Sequence, residues 1–232
     1  MRRVGSGREY RVYDEGGGRV LKIRQSVWER LLRSVVCAVR DKSFKVLPKT
    51  LIFHIRGEND VPVLASRLEA MPLETKKLLG NFQMVDRYHY TQDLVTPLRD
   101  YFPRHSLEEN IAAVGRYVSL VKFLWTLGLG DRYYNFTWNV GVYADGTVAQ
   151  IDIADLTTKV DIVAYSTRNR NWLKTGIPAI RDERLQNECV RLLNSELTYE
   201  AFVDRWPPGD GISNGRPARR STGPHGSALS EG

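Results

Sequence analysis

An Asp-Gly pair, Asp145-Gly146, stands between two runs rich in β-branched residues and indicates a sharp reversal of the chain. Asp-Gly readily adopts the positive backbone angles of a tight β-turn, so the flanking runs 139–144 and 147–153 are predicted to form a hairpin. Asn139 and Asp152 are 13 residues apart, and the turn lies midway between them. We therefore expect these two side chains next to each other at the open end of the hairpin.

A second hairpin is predicted near the N-terminus, where the runs 10–13 and 19–23 flank the glycine-rich reversal 14–18. Lys22 lies within the second run, and a lysine in an apolar strand has either to reach solvent or to meet an anion. Gly5-Ser6-Gly7 precedes the hairpin, and such glycines allow the backbone to approach a phosphate closely. Alone, this combination also fits a tight turn beside a lysine that reaches solvent.

The rest of the first 70 residues is predicted to hold one helix and two more strands. Ser26 fits a helix N-cap, and the apolar residues after it recur at helical spacing to about Arg40. The runs 51–55 and 61–65 are predicted strands, joined by a turn at 57–60. This part of the chain therefore resembles a small, strand-rich unit.

Helices are predicted to dominate the remainder. Ser106 and Glu109 fit a capping box at the start of a helix whose apolar face extends to Leu127. The pattern from Asp182 to about Trp206 is again helical. The order of a β-rich part, a helix, a hairpin and further helices predicts an α+β fold with two lobes.

The predicted organisation is a β-rich N-terminal lobe over 1–70, a mainly helical C-terminal lobe over 71–210 and a disordered tail over 211–232. The tail is rich in Gly, Ser, Pro and Arg and cannot bury enough apolar surface to offset the entropy of ordering. Over the whole chain of 232 residues, 42% are hydrophobic, which excludes disorder throughout.

Composition also limits the compartment and the partners. Two cysteines, Cys37 and Cys189, cannot form a disulfide framework, and the chain has neither an apolar signal segment nor a membrane-spanning run. These features predict a cytoplasmic protein with no membrane partner. The net charge is +7, and residues 1–50 hold 13 basic and five acidic residues. This charge suits an anionic partner, but no recognition helix, zinc-binding pattern or aromatic-basic motif accompanies it, which disfavours nucleic acid.

Three polar residues in the second half of the chain could carry chemistry. Asp131 follows the long helix directly and could act as a base or form a turn. Asp152 lies in an apolar strand, where a lone carboxylate is costly unless it pairs or binds a metal. Together with Asn139 it offers two oxygen donors of the kind that Mg²⁺ prefers. Singly, Asn139 also fits a turn residue, and Asp152 a partner of a core arginine.

Taken together, the glycine segment, the strand lysine, the loop Asp, the hairpin Asn and the strand Asp resemble the protein-kinase-like superfamily in residue type and chain order. The similarity is to its small bacterial branches, near the aminoglycoside-phosphotransferase-like and lipopolysaccharide-kinase-like groups, and covers about residues 1–160. The resemblance implies a two-lobed fold that binds ATP and Mg²⁺ and transfers the γ-phosphate to a hydroxyl of a small molecule or a protein.

The resemblance also implies a role for each matching residue. Lys22 is expected to hold the α- and β-phosphates beneath a loop formed by Gly5-Ser6-Gly7, and Asp131 is expected to accept the proton of the acceptor hydroxyl. Asn139 and Asp152 are expected to hold Mg²⁺. A helical acid should pair with the lysine, and the candidates in this chain are Glu29 and Asp41. Of these, Glu29 is counted among the predicted cofactor-binding residues.

The chain departs from the family pattern at three places. The pattern has its asparagine five residues after the catalytic Asp, whereas Asn139 comes eight residues after Asp131, and Asn135 is a second candidate. The motif 152–155 reads Asp-Ile-Ala-Asp and lacks the usual glycine, and no activation segment follows. These departures support an alternative, a pseudokinase that binds a nucleotide or a partner without catalysis.

Overall fold

A computed structural model describes residues 1–6, 9–40 and 61–208 of the chain. It has an α+β fold in which an antiparallel five-stranded sheet packs against a largely helical part. The sheet order is β1-β2-β3-β5-β4. Its strands are β1 (Arg2–Ser6), β2 (Tyr10–Gly16), β3 (Arg19–Arg24), β4 (Gln83–Asp86) and β5 (His89–Asp93).

The predicted N-terminal hairpin is confirmed. Strands β2 and β3 pair antiparallel, with Tyr10 opposite Arg24 and Val12 opposite Lys22. The reversal between them is made by Gly16, Gly17 and Gly18, which all have positive φ angles, a conformation that glycine adopts without steric cost.

Helix α1 (Val27–Arg40) follows at the predicted position. The Ser26 hydroxyl accepts a hydrogen bond from the Glu29 amide at 3.3 Å, and the Glu29 carboxylate accepts one from the Ser26 amide at 2.9 Å. This reciprocal capping satisfies two amides that have no partner within the helix. Several apolar side chains of α1 are exposed, among them Leu32 and Val36.

The segment 61–65 was predicted as a strand, and that prediction is wrong: it begins helix α2 (Val61–Glu69). Its buried residues recur at helical spacing: Val61, Leu64, Ala65 and Leu68. This spacing becomes visible only beyond the five residues 61–65, in which the valines suggested a strand. A proline at the second position suits a helix start, because its missing N–H has no intrahelical partner there. The predicted strand 51–55, the turn 57–60 and the tail 211–232 lie outside the described residues.

The sheet extends past residue 70, the predicted end of the strand-rich lobe. Strand β5 pairs with β3, placing Tyr90 opposite Lys22, and β4 pairs with β5 on the outer side. The short helix α3 (Leu73–Leu78) leads into β4. Two strands that complete the sheet therefore come from the part of the sequence predicted to be helical.

The long helix predicted after Ser106 is α5 (Leu107–Thr126), and both hydrogen bonds of its capping box are present. It follows strand β6 (Thr96–Pro97) and helix α4 (Leu98–Tyr101), and it runs through the core, where Tyr117 and Trp125 are almost completely buried. After it come β7 (Gly130–Asp131) and the single-turn helix α6 (Phe136–Asn139).

The hairpin predicted around Asp145-Gly146 is also confirmed. Strands β8 (Val140–Val142) and β9 (Val148–Gln150) pair antiparallel, and β6 joins β8 on its other side. A 3₁₀ turn follows β9, and β10 (Leu156–Thr157) then pairs with β7, which sets Leu156 opposite Asp131.

Four helices complete the described fold: α7 (Val160–Arg168), α8 (Trp172–Thr175), α9 (Glu183–Glu196) and α10 (Tyr199–Val203). The last two confirm the helical prediction for the end of the globular part. One contiguous apolar core runs from Tyr10 in the sheet to Trp206 after α10. Within the described residues, no helix is long and apolar enough to cross a membrane.

Candidate functional site

The lysine of β3 is directed at the segment that follows the second hairpin. Lys22 is 9% exposed, and its Nζ donates a hydrogen bond to the carbonyl oxygen of Ile151. The same nitrogen lies 5.4 Å from the centre of the Tyr90 ring on the neighbouring strand. Burial lowers the pKa of Lys22, and the charges of Asp152 and Asp155 oppose that shift. The Lys22 amine is therefore shielded from solvent and interacts electrostatically with two carboxylates, those of Asp152 and Asp155.

Asp152 is one of these carboxylates, at the end of the hairpin where β9 turns into the 3₁₀ segment. Desolvation raises the pKa of Asp152, while the charge of Lys22 and the backbone N–H of Ala154 lower it. Lys22, from the sheet, and Asp152, from the helical part, therefore lie close enough for their charges to interact. The sequence predicted both residues as site residues, and the structure brings them together.

Asn139 lies beside Asp152, as the hairpin predicts. The carbonyl oxygen of Asn139 accepts hydrogen bonds from the amides of Ile151 at 2.7 Å and Asp152 at 3.2 Å. Its side-chain Nδ2 donates to Asp155 Oδ2 at 2.6 Å. The other candidate, Asn135, accepts a bond from the Thr137 hydroxyl at 3.4 Å. Of the two asparagines, Asn139 is the one with a documented bond into the cluster.

Asp131 occupies the loop after the long helix and is 3% exposed. Its Oδ1 accepts hydrogen bonds from the amides of Tyr133 and Tyr134, both at 2.7 Å. Desolvation raises the pKa of Asp131 to about 6, although these bonds and those from the side chains of Asn139 and Gln150 lower it. A carboxylate with this pKa can take up a proton near neutral pH, as a general base must.

The loop around Asp131 is held in one shape by Tyr134. This residue is fully buried and has a φ of 53°, a left-handed conformation that costs energy for a bulky side chain. Its hydroxyl lies 2.8 Å from the Thr167 hydroxyl and accepts a bond from the Trp125 indole at 3.3 Å. These contacts fix the turn whose amides hold the Asp131 carboxylate.

Asp155 belongs to the cluster but was not chosen as a site residue from the sequence. It accepts the bond from Asn139, and the negative charges of Asp152, Asp131 and Glu9 together with desolvation raise the pKa of Asp155 well above its usual range. The available signal was its spacing: an acid three residues after Asp152, across a single turn, can lie near it. Gln150 was also missed, and its Nε2 donates to the Asp152 carbonyl at 3.1 Å.

The predicted glycine segment is only partly described. Gly5 and Ser6 are in strand β1, opposite Val12 and Arg11, and Gly7 lies outside the described residues. A Cβ added at Gly5 would lie 3.6 Å from Val12, an ordinary contact, so the strand does not itself require glycine there. Desolvation and, to a smaller extent, the charge of Asp152 raise the pKa of Glu9, which directly precedes β2 and so lies near the cluster.

Glu29 does not pair with Lys22. Its carboxylate forms a salt bridge with the Arg11 guanidinium and accepts hydrogen bonds from the amide and the hydroxyl of Ser26. Both contacts follow from its position on the first turn of α1, three residues after Ser26. The structure thus gives Glu29 a role in holding α1 to β2 rather than in the lysine site. Asp41, the other acid considered as a partner of the lysine, lies outside the described residues.

No protein-family model matches this chain, and no curated protein matches it significantly. Within the described residues, no group of three or more His, Cys, Asp or Glu side chains is arranged to hold a metal ion. The site therefore has to be interpreted from its own geometry: a buried amine, three clustered carboxylates and a bridging asparagine.

Proposed function

We propose that this chain is an ATP- and Mg²⁺-dependent phosphotransferase of protein-kinase-like fold that moves a γ-phosphate to a hydroxyl acceptor. The observation that carries the proposal is the meeting of Lys22, from the sheet, with Asp152 and its neighbours Asn139 and Asp131, from the helical part. The four residues come from separate elements, and they have the chain order that the resemblance requires.

A buried lysine is well suited to holding nucleotide phosphates. Among the described residues, the Lys22 amine donates to the neutral carbonyl of Ile151 and lies over the Tyr90 ring, while the charges of Asp152 and Asp155 act on it without a direct bond. A phosphate oxygen forms a charge-assisted bond, which is stronger than a bond to a neutral acceptor. Nucleotide binding would therefore stabilise a cation that burial destabilises.

The residues present fit Mg²⁺ by the chemistry of their donors. Desolvation and the negative charges of Asp152 and Asp131 raise the pKa of Asp155, and among the described residues the cation that acts on this group is the single amine of Lys22. Such an excess of carboxylates favours a divalent cation. Mg²⁺ in nucleotide sites commonly takes one or two carboxylates and completes its shell with phosphate oxygens and water. Asp152 and Asn139 would hold the ion, and its chemistry there is to neutralise phosphate charge.

Asp131 would act on the acceptor. Phosphoryl transfer depends mainly on alignment and on charge neutralisation, so this carboxylate has to orient the acceptor hydroxyl and take its proton. Two backbone amides fix the position of Asp131, and its pKa of about 6 leaves it largely ionised at neutral pH. The base is thus held in place before the acceptor arrives.

Thermal unfolding with and without Mg-ATP tests the proposal. At a hundredfold excess over Kd the ligand should stabilise the wild type by about 2.7 kcal/mol, which is roughly 5 to 10 °C in Tm. Lys22→Ala and Asp152→Ala should lose this shift. The matched controls are Lys77→Ala and Asp145→Ala, which break a surface Lys–Asp pair of 2.5 Å elsewhere in the fold. A wild type that no nucleotide stabilises would overturn the proposal.

A pseudokinase is the second candidate, and one observation favours it. The groups that should face the substrate are already engaged with each other: Asn139 binds Asp155, and Asp131 accepts bonds from two amides and from the side chains of Asn139 and Gln150. A site satisfied in this way can bind a nucleotide without performing transfer. Turnover, rather than binding, distinguishes the two functions.

A further inference from the structure

Two arginines near the lysine site have buried nitrogens without a partner. Arg24 is the last residue of β3, two positions after Lys22, and Arg30 lies near the start of α1. Arg30 is only 3% exposed. The Nε and Nη2 atoms of Arg24 and the Nε atom of Arg30 are buried, and no hydrogen-bond acceptor among the described residues reaches them.

Buried guanidinium donors almost always have a partner, because an unsatisfied charged donor is costly. In the described part of the chain, neither Arg24 nor Arg30 forms a salt bridge with a carboxylate. The Arg30 backbone is in regular helix, with its amide bonded to the Ser26 carbonyl at 3.1 Å, and the Arg24 amide bonds the Tyr88 carbonyl at 2.8 Å. The backbone amides of both arginines therefore have hydrogen-bond partners, whereas the buried side-chain nitrogens have none among the described residues.

The two guanidinium groups are close enough to repel each other. Desolvation and the charge of Arg24 lower the pKa of Arg30, and Glu9 is the acidic residue that opposes this shift. Glu9 is also influenced by Arg24, Asp152 and Arg132. One carboxylate shared among several arginines leaves an excess of positive charge at this end of β3.

We propose that Arg24 and Arg30 form a binding site for the phosphate group of a ligand. A phosphate monoester carries up to two negative charges and three terminal oxygens, which suit the excess positive charge and the three unpartnered nitrogens. A carboxylate would supply a single charge and two oxygens. The pair of arginines therefore fits a phosphate better than a carboxylate.

This site lies next to the one assigned to the nucleotide, and the charges of both Arg24 and Asp152 act on Glu9. Lys22 and Arg24 are on the same face of β3, about 7 Å apart along the strand. The Lys22 amine is bonded to Ile151, whereas Arg24 lies opposite Tyr10, the first residue of β2. The site itself does not depend on the proposed function. If the proposed function holds, the nucleotide phosphates bind at Lys22, and the phosphate group bound by Arg24 and Arg30 is part of the acceptor substrate.

Calorimetric titration of the nucleotide-free full chain tests the proposal, with inorganic phosphate and glycerol phosphate as separate probes and with chloride matched for ionic strength. The variants are Arg24→Gln and Arg30→Gln. Arg24→Lys keeps the charge but loses the planar fork, so it covers the case in which a Gln variant fails to fold. Arg2→Gln, on the same sheet and with an 82% exposed side chain, is the matched control.

We expect both probes to bind the wild type and Lys22→Ala, with Kd raised at least about tenfold in the Arg24 and Arg30 variants and unchanged in Arg2→Gln. Because these substitutions relieve repulsion between buried like charges, the variants should be at least as stable as the wild type without phosphate. Binding no stronger than that of chloride, or binding lost in Lys22→Ala and retained in the arginine variants, overturns the proposal. A site that takes inorganic phosphate but excludes the monoester overturns its assignment to a ligand.

Discussion

The amine of Lys22 donates a hydrogen bond to the carbonyl of Ile151, the residue immediately before Asp152. Lys22 and Ile151 are 129 positions apart in the chain, so this bond joins the five-stranded sheet to the hairpin of the helical part. Lys22 and Asp152 are therefore neighbours in the folded protein.

Asp131→Asn separates an enzyme from a scaffold. The Asn side chain keeps an oxygen that can accept the two amide bonds at this position, so the loop should keep its shape. Loss of the base should reduce ATP turnover by about 10² to 10⁴-fold. Nucleotide binding, followed by thermal shift, should persist. Turnover unchanged from the wild type would mean that Asp131 is not the base.

Gly130→Ala should destabilise the protein next to the site. A Cβ at Gly130 would lie 2.5 Å from the Val163 side chain, in a buried position where α7 packs on β7. We expect a loss of about 1 to 3 kcal/mol in the free energy of unfolding, measured with urea. Gly115→Ala, in the middle of α5 with nothing within 4 Å of the added carbon, is the control and should stabilise the protein by about 0.5 to 1 kcal/mol. Equal changes in the free energy of unfolding for the two variants would contradict the close packing of Val163 on Gly130.

Asp145 should make stability depend on pH at the acidic end. Its hydrogen bonds to Lys77 and to the Thr147 amide hold the pKa of Asp145 well below its ordinary value of 3.8. Because the folded pKa is depressed, this stabilisation is present above the ordinary value and is lost as the pH falls through and below it.

The comparison of wild type with Asp145→Asn, by urea unfolding from about pH 7 to pH 3, measures this effect. The variant should be less stable at neutral pH, and the difference should shrink towards acid. Lys77→Met should show the same trend, because it removes the other half of the pair. A difference that stays constant with pH would indicate that the charge of Asp145 is not involved.

Cys189 should be inert in the folded protein. It is 1% exposed on α9, and burial raises the pKa of its thiol to about 12. At about pH 8 only about one molecule in 10⁴ would carry the reactive thiolate. In a Cys37→Ser background, a thiol reagent should label Cys189 only after unfolding in denaturant. Labelling of the folded protein at the rate of an exposed thiol would contradict the burial.

Local patterns predicted the elements that hold the site. The turn at Asp145-Gly146 places Asn139 beside Asp152, and the reversal of the chain depends on residues adjacent in sequence. The capping box at Ser106 likewise starts the helix that leads to Asp131. The segment 61–65 was mistaken for a strand because a five-residue window cannot separate a buried helix from a strand.

Pairing across the sheet could not be predicted in the same way. Strand β5 lies beside β3 although 64 residues separate the two strands in the chain, and no local signal states which strands will pair. The positions of Asp155 and Gln150 in the cluster were missed for a similar reason. Asp155 accepts a hydrogen bond from Asn139, and Gln150 donates to Asp131 and to the Asp152 carbonyl, contacts that depend on how the loops pack.

The α+β class, the two hairpins and the capped central helix follow from the sequence, as do the residue types of the proposed phosphate and cation site, because turns, caps and periodicity depend on near neighbours. Packing of the folded chain places Lys22 next to Asp152, bonds Asn139 rather than Asn135 to the cluster, and pairs Glu29 with Arg11. The physical reason is that partners of buried charges are selected by desolvation in the packed interior, which brings together residues that the chain keeps far apart.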